Sequence, residues 1–237
     1  PSSLHNTSRP EAIEFTAPVT PAPQPEAVAS PAPPADFWQQ VREGFRLPDK
    51  QHKRVTRQSA RYASSPTHVE RVFRRGEPYL AYIQDEVAQR GFPSEITLLP
   101  FIESGYDPFA YSHGRAAGLW QFIPGTGRMY GLEQDWWYDG RRDVVDSTRA
   151  ALDYLEYLRD FFDGDWLLAL VSYNAGEGRV SRAVKRNLKA GKPGDFWNIR
   201  LPRETRGYVP KLLGLTCLFL NADAYDFEPL ETPNEPV

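Results

Sequence analysis

Glu103 is the residue of this 237-residue chain whose type and setting best suit proton chemistry. It ends an apolar run, Ile96, Leu98, Leu99, Phe101 and Ile102, so its carboxyl is expected at the edge of a core and not on a solvated face. Desolvation by apolar neighbours raises a carboxyl's pKa and lets it hold a proton at neutral pH, the state a general acid needs. One such Glu is weak evidence, because a helix-end carboxylate reaching solvent or a cap gives the same pattern more often. Its surroundings add weight. Downstream come a Gly-rich bend at 113–118, the pair Trp120 and Gln121, and a Pro-Gly-Thr-Gly run at 124–127. An aromatic can stack on a sugar ring while fixed amides serve its hydroxyl and acetamido groups, so this company points to a carbohydrate. Residues 170–178, reading LVSYNAGEG, supply Tyr173 and Asn174 as further polar candidates.

Most glycosidases use two carboxylates, about 5–5.5 Å apart for retention or about 6.5–9.5 Å for inversion. A second acid is hard to find here. Asp107 precedes Pro108, which biases it toward extended backbone, and it reads better as a helix-end hydrogen-bonding group. Asp139 and Asp143 lie in a polar turn ahead of a helix and read as caps. A single acid suffices when the substrate's own N-acetyl group attacks the anomeric carbon. Cys217, the sole cysteine, sits in an apolar helical run that suits packing, and His5, His52, His68 and His113 lack ligand spacing. No metal and no cofactor are expected. The run at 125–127 lacks the strand and the Lys-Ser/Thr of a phosphate loop.

Taken together, Glu103-Ser104, the run GLWQFIPGT at 118–126, Tyr173-Asn174-Ala175-Gly176, and Tyr208 resemble in order and spacing the motifs of the family 1 lytic transglycosylases, glycoside hydrolase family 23. The stretches YDGRRDVVDSTRAAL, FDGDWLLAL and YVPKLLGL bring the likeness nearest to membrane-bound members, and it covers about residues 37–223. The resemblance implies a lysozyme-like lyase that cuts the β-1,4 bond between N-acetylmuramic acid and N-acetylglucosamine in peptidoglycan glycan strands and leaves a 1,6-anhydromuramoyl end. Glu103 would serve as sole general acid and base. Ser104 would hold its carboxylate or a sugar group, Gln121, Tyr173 and Asn174 would bind acetamido and hydroxyl groups, and Tyr208 would position the intermediate. The residues alone leave a plainer role open, since buried Gln, Asn and Tyr often only satisfy backbone groups. Trp120 and Ile123 suit either pocket or core. The alternatives are a hydrolytic lysozyme or chitinase of the same fold and a non-catalytic glycan-binding module.

The elements that must position these residues are helical. A hydrophobic content of 41% supports one sizeable domain, and a formal charge of −3 gives no sign of a nucleic-acid binder. No run of 18 apolar residues appears. Residues 1–35, rich in Pro, Ala and Ser, are expected to be a disordered linker, in the resemblance a tether from a lipid anchor at the outer membrane to an enzyme working as a monomer in the bacterial periplasm. A chain opening at Pro1 is expected to be a mature or trimmed form. The catalytic domain is expected over 36–225, with a helical part at 36–93 and a core at 94–225, followed by a disordered acidic tail at 226–237; the family's sugar-binding repeats would follow only in a longer protein.

Apolar spacing predicts helices from Asp36, over 49–62, over 67–89 with an interruption near Gly76 and Pro78, from a Ser94 cap to Glu103, over 143–162, over 166–173, over 180–190, and over 203–222 with Pro210 near the first turns. A short hairpin is expected within 109–119. The fold class is all-α with a minor β hairpin.

Overall fold

The computed structural model describes residues 36–229 and Thr232; the linker expected at 1–35 and the rest of the tail lie outside these residues. Among the described residues the chain is helical, with α1 Phe37–Glu43, α2 Lys53–Ala63, α3 Pro66–Gln89, a 3-10 turn Ser94–Leu98 running into α4 Leu99–Glu103, α5 Pro124–Met129, α6 Val144–Phe161, α7 Trp166–Ala175, α8 Glu177–Lys189 and α9 Arg203–Leu220. No sheet forms among them. The hairpin expected within 109–119 is reduced to isolated antiparallel bridges, Tyr111 to Ala117 and Ala117 to Phe122, because the chain doubles back too tightly for a ladder to extend.

Side chains at helical spacing explain which face each helix buries. Val69, Val72, Phe73, Leu80, Ile83 and Val87 make the buried stripe of α3. The run 167–172 of α7 is buried all round, which puts that helix in the centre, packed against α6, α8 and α9. In α9 every residue from Leu212 to Phe219 is buried, and α2 lies along it. Trp38 of α1 stacks on Phe219 at 4.4 Å and meets Phe73 edge-on at 5.2 Å, tying the first helix to α9 and α3. Asp143 and Asp165 cap α6 and α7 by accepting the N–H groups of Asp146 and Leu168 at 2.8 and 3.0 Å, as the sequence suggests for Asp143.

Two prolines depart from expectation. The interruption predicted near Gly76 and Pro78 does not occur, and α3 runs unbroken through both. Pro210 sits eight residues into α9, beyond its first turns. Proline lacks the N–H that would bond the carbonyl four residues earlier. For Pro210 that carbonyl belongs to Arg206, and the Arg54 guanidinium of α2 donates to it instead. Tertiary packing so offsets a break that local propensity predicts.

Residues 92–101 are wholly buried, and their polar groups must find partners inside. Ser94 does not cap the helix leading to Glu103 but lies within the 3-10 turn, where it accepts a bond from Gln84 Nε2 at 3.1 Å. Gln84 Oε1 in turn accepts from Thr97 Oγ1 at 2.7 Å. Glu95, fully buried, accepts the N–H groups of Arg46 and Leu47 at 3.1 and 2.8 Å and pairs with Lys50 at 3.1 Å. The acid is thereby turned away from Glu103 and serves as a brace for the loop that follows α1.

Gly76 marks where α3 meets the chain just past α4. A Cβ there would lie 2.7 Å from Cγ of the buried Tyr106, whose hydroxyl donates to Thr97 O at 2.8 Å. Overpacking of this kind costs about 1–3 kcal/mol. Gly76→Ala is expected to lower the unfolding free energy by that amount, read as a lower urea midpoint at unchanged slope; an unchanged midpoint would show that Tyr106 yields freely.

Candidate active site

Glu103 is the last residue of α4, a helix of five residues. So short a helix has no stability of its own and is held by the buried run before it. After it the chain turns sharply: Gly105 and Tyr106 both have positive φ, and the N–H groups of Ser104 and Tyr106 both donate to Pro100 O, at 3.0 and 3.2 Å. That turn leaves Glu103 half-buried at the end of the segment, facing α9.

The Tyr208 hydroxyl of α9 donates to Glu103 Oε1. Burial pushes the Glu103 carboxyl up to about 7, against the opposing pulls of the Tyr208 hydrogen bond and the Lys211 charge. Desolvation therefore outweighs both partners, and the proton is kept near neutrality. Tyr208 is pushed well above the usual phenol range by burial and by the neighbouring carboxylate, so it remains a donor. Among the described residues, the side chains that act on Glu103 are Tyr208 and Lys211, and neither is an acid like it. Asp107 accepts the N–H of Phe109 at 2.9 Å in a local turn, the helix-end role expected of it. Asp139 accepts the N–H of Arg141 at 3.2 Å and Asp143 caps α6.

The other expected site residues surround this pair in different ways. Tyr173, on the last turns of α7, is half-buried and donates to Trp120 O at 2.8 Å; burial and then the charge of Glu103 raise its pKa strongly, which puts it beside the acid. Ser104 donates to Leu119 O at 2.8 Å and Pro100 O at 3.3 Å, and no hydrogen bond joins it to the Glu103 carboxyl. Gln121 adopts a φ of 52°, and its Nε2 donates to Gly118 O at 2.9 Å and Ala110 O at 3.3 Å, so any sugar contact falls to its Oε1. Asn174 is exposed near the end of α7. Trp120 is fully buried and donates Nε1–H to Thr148 Oγ1 at 2.9 Å, which makes it core, whereas Ile123 is 51% exposed.

Sequence reasoning missed several neighbours. Lys211 lies three residues after Tyr208 on α9, a spacing that faces both toward one side and was available as a signal. Tyr130, Tyr154 and Tyr173 form a run of rings with centroids 5.1 and 5.4 Å apart, and Tyr154 donates to Glu177 Oε2 at 3.3 Å. Arg141 is the least foreseeable. Its buried guanidinium pairs with Asp139 at 2.7 Å while Nη1 donates to Arg115 O at 2.8 Å and Phe122 O at 3.0 Å, closing the loop that carries Leu119, Trp120 and Gln121. Gly118 lets that loop pass, with φ +84° and a site where a Cβ would fall 1.7 Å from Arg141 O. Among the described residues no cluster of three or more His, Cys, Asp or Glu side chains is placed to share a metal ion.

The family profile described as Transglycosylase SLT domain matches residues 81–194. Membrane-bound lytic murein transglycosylase D of Escherichia coli strain K12 is 45% identical over 194 residues, 82% of this chain and 43% of that protein. An Alteromonas protein named for tributyltin chloride resistance is 52% identical over 115 residues, 48% of this chain and 55% of its own length. The chain thus spans about half the length of these curated relatives. Among solved structures, the 70 kDa soluble lytic transglycosylase of Escherichia coli aligns at TM-score 0.49 and 24% identity over 60% of this chain and 24% of that one.

A buried acid with a raised pKa leaves a mark on stability. The folded-state value of Glu103, about 7, exceeds the ordinary 4.5, so its contribution is fully present below about pH 4.5 and is lost as pH rises through about 7. Glu103→Gln removes this loss. At pH 8 the variant is expected to be about 1–2 kcal/mol more stable than the parent, a figure already discounted for the solvent that reaches the side chain, with the gain vanishing near pH 4. Denaturation curves at both pH values check it. Tyr208→Phe removes a bond that favours the carboxylate and is expected to move the Glu103 titration, followed by carboxyl-carbon NMR, above pH 7.

Proposed function

We propose that this chain, whose residues 81–194 match the transglycosylase SLT domain profile, is a peptidoglycan lytic transglycosylase in which Glu103 is both general acid and general base. The observation that carries this reading is a half-buried carboxyl pushed up to about 7 by burial and held by Tyr208, with no carboxylate among the described side chains that act on it. Residues 36–225 form the catalytic unit.

In the first step Glu103 gives its proton to the glycosidic oxygen, the C1–O bond of N-acetylmuramic acid breaks, and the departing N-acetylglucosamine leaves with a 4-hydroxyl. The carbonyl oxygen of the muramic acetamido group closes on C1 and carries the positive charge as an oxazolinium ion. Glu103, now a carboxylate, takes the proton of the C6 hydroxyl as O6 bonds to C1 and the acetamido group is released. Protons balance, water is not consumed, and the product is a 1,6-anhydro sugar. Tyr208, which bonds to the carboxyl in either state, holds it in one orientation through both transfers. Tyr173 and Asn174 at the end of α7, with Gln121 Oε1, receive acetamido and hydroxyl groups in this reading, and the Ser104 bond to Leu119 O supports the turn that carries Glu103. The relative named as a membrane-bound murein enzyme supports a periplasmic, membrane-associated setting; no described helix is long and apolar enough to cross a membrane.

Mass spectrometry of soluble products from purified sacculi tests the reaction. Muropeptides lighter by one water and lacking a reducible end are expected; reducing ends would mean that water attacks, and the single-acid reading would fall. Glu103→Gln is expected to lose about a hundredfold or more in turnover. Since the first step needs the protonated carboxyl, the rate is expected to fall as pH rises through about 7, and a flat profile to pH 9 would exclude Glu103 as the acid.

A further inference from the structure

Trp136 and Trp137 are 89% and 91% exposed and lie side by side in the loop that follows α5. Two adjacent indoles in water are costly to a protein that could bury them, and such exposure marks an interaction site. The loop is built to hold them there. Asp135 Oδ1 accepts the N–H groups of Trp137 and Tyr138 at 2.6 and 2.7 Å, the Asp135 N–H donates to Tyr138 O at 2.9 Å, and Gln134 bridges Asp139 in antiparallel fashion. Its base is pinned by Gly140 N–H to Glu133 O at 2.8 Å and by Gln134 Nε2 to Pro124 O at 3.0 Å. Directly beyond it, Arg141 grips the carbonyls of Arg115 and Phe122, so the loop is fastened to the segment that borders Ser104 and Tyr173.

The indoles line a shallow pocket with Asp135, Tyr138, Asp139, Arg142 and Asp143. Aromatic faces beside hydrogen-bonding carboxylates and a guanidinium, on a rigid frame, match a sugar ring, whose C–H face stacks while its hydroxyls donate and accept. A lipid surface matches poorly. The pocket lining carries Asp135, Asp139 and Asp143 against Arg142, with Asp139 paired to Arg141, a balance that gives an anionic leaflet no basic patch to hold. None of these side chains hydrogen-bonds to Glu103, Tyr173 or Tyr208 among the described residues.

We propose that Trp136 and Trp137, with Asp135, Tyr138 and Arg142, form a second glycan-holding site that stacks the sugar backbone of a β-1,4-linked N-acetylhexosamine chain, an inference that rests on the proposed function only for the identity of the polymer. It keeps a strand attached to the protein while Glu103 acts on one of its bonds, raising the effective concentration of further bonds.

Insoluble chitin, which has this backbone without peptide stems, is the probe, and Glu103→Gln supplies a background without turnover. The Glu103→Gln protein is expected to sediment with chitin, and adding Trp136→Ala and Trp137→Ala to weaken binding about tenfold, as the loss of two ring contacts implies. Phe at both positions is expected to restore most of it, with the melting temperature unchanged throughout because both side chains stand in solvent. In the otherwise unaltered protein, the Ala pair is expected to raise KM for sacculi and leave kcat in place. Equal chitin affinity with and without the indoles overturns the proposal. Tryptophan-dependent binding to phosphatidylglycerol vesicles with none to chitin overturns it in favour of a membrane contact. Tryptophan-dependent chitin binding by a protein that releases no anhydro product supports the site and refutes only the catalytic reading of Glu103.

Discussion

The hydrogen bond from Tyr208 to Glu103 joins residues 105 apart in sequence, and the architecture is arranged to let that bond form in a place dry enough to matter. A carboxyl that is to hold a proton near pH 7 must lose most of its water, and one that is to exchange that proton must still open to solvent. The structure meets both demands by ending a short buried segment at the acid and laying α9 across it. Burial moves the titration upward; the Tyr208 bond and the Lys211 charge pull it back, and the balance stops near 7. Stronger partners would give a permanent carboxylate, and deeper burial without partners would give an acid too weak to release its proton.

Much of the remaining structure keeps these two residues in register. The segment 92–101 is buried throughout, and Gln84, Thr97 and Ser94 satisfy one another while Glu95 is neutralised by Lys50 and two backbone N–H groups. On the other side α9 continues past Pro210 because Arg54 supplies the donor that proline lacks, so that Tyr208 and Lys211 remain on one continuous helix. The third wall is a loop with little regular structure of its own, closed by the buried Arg141 and by hydrogen bonds from Ser104 and Tyr173 to its backbone. Ser104, Gln121 and Tyr173 thus spend their polar groups on backbone carbonyls of this loop and act as its braces.

The same loop system continues into the exposed tryptophan turn. The hydrogen bonds that hold Trp120 and Gln121 in place run on through Arg141 and Asp139 into the turn that holds two indoles in water.

The sequence by itself determined the helical class, the all-round burial of α7 and the cap at Asp143, because each depends on local spacing of apolar and polar residues that any reader of the chain can count, and the apolar run before Glu103 made its desolvation an expectation. Tyr208 was legible only through the company of the other motifs. What tertiary structure alone decided are the features made by residues far apart: the unbroken passage of α9 through Pro210, the packing of the Tyr106 ring against Gly76, and the turning of Ser104 and Tyr173 onto the carbonyls of Leu119 and Trp120. Local propensity predicts none of these, since the compensating donor or ring comes from another part of the chain, and only folding brings it within reach.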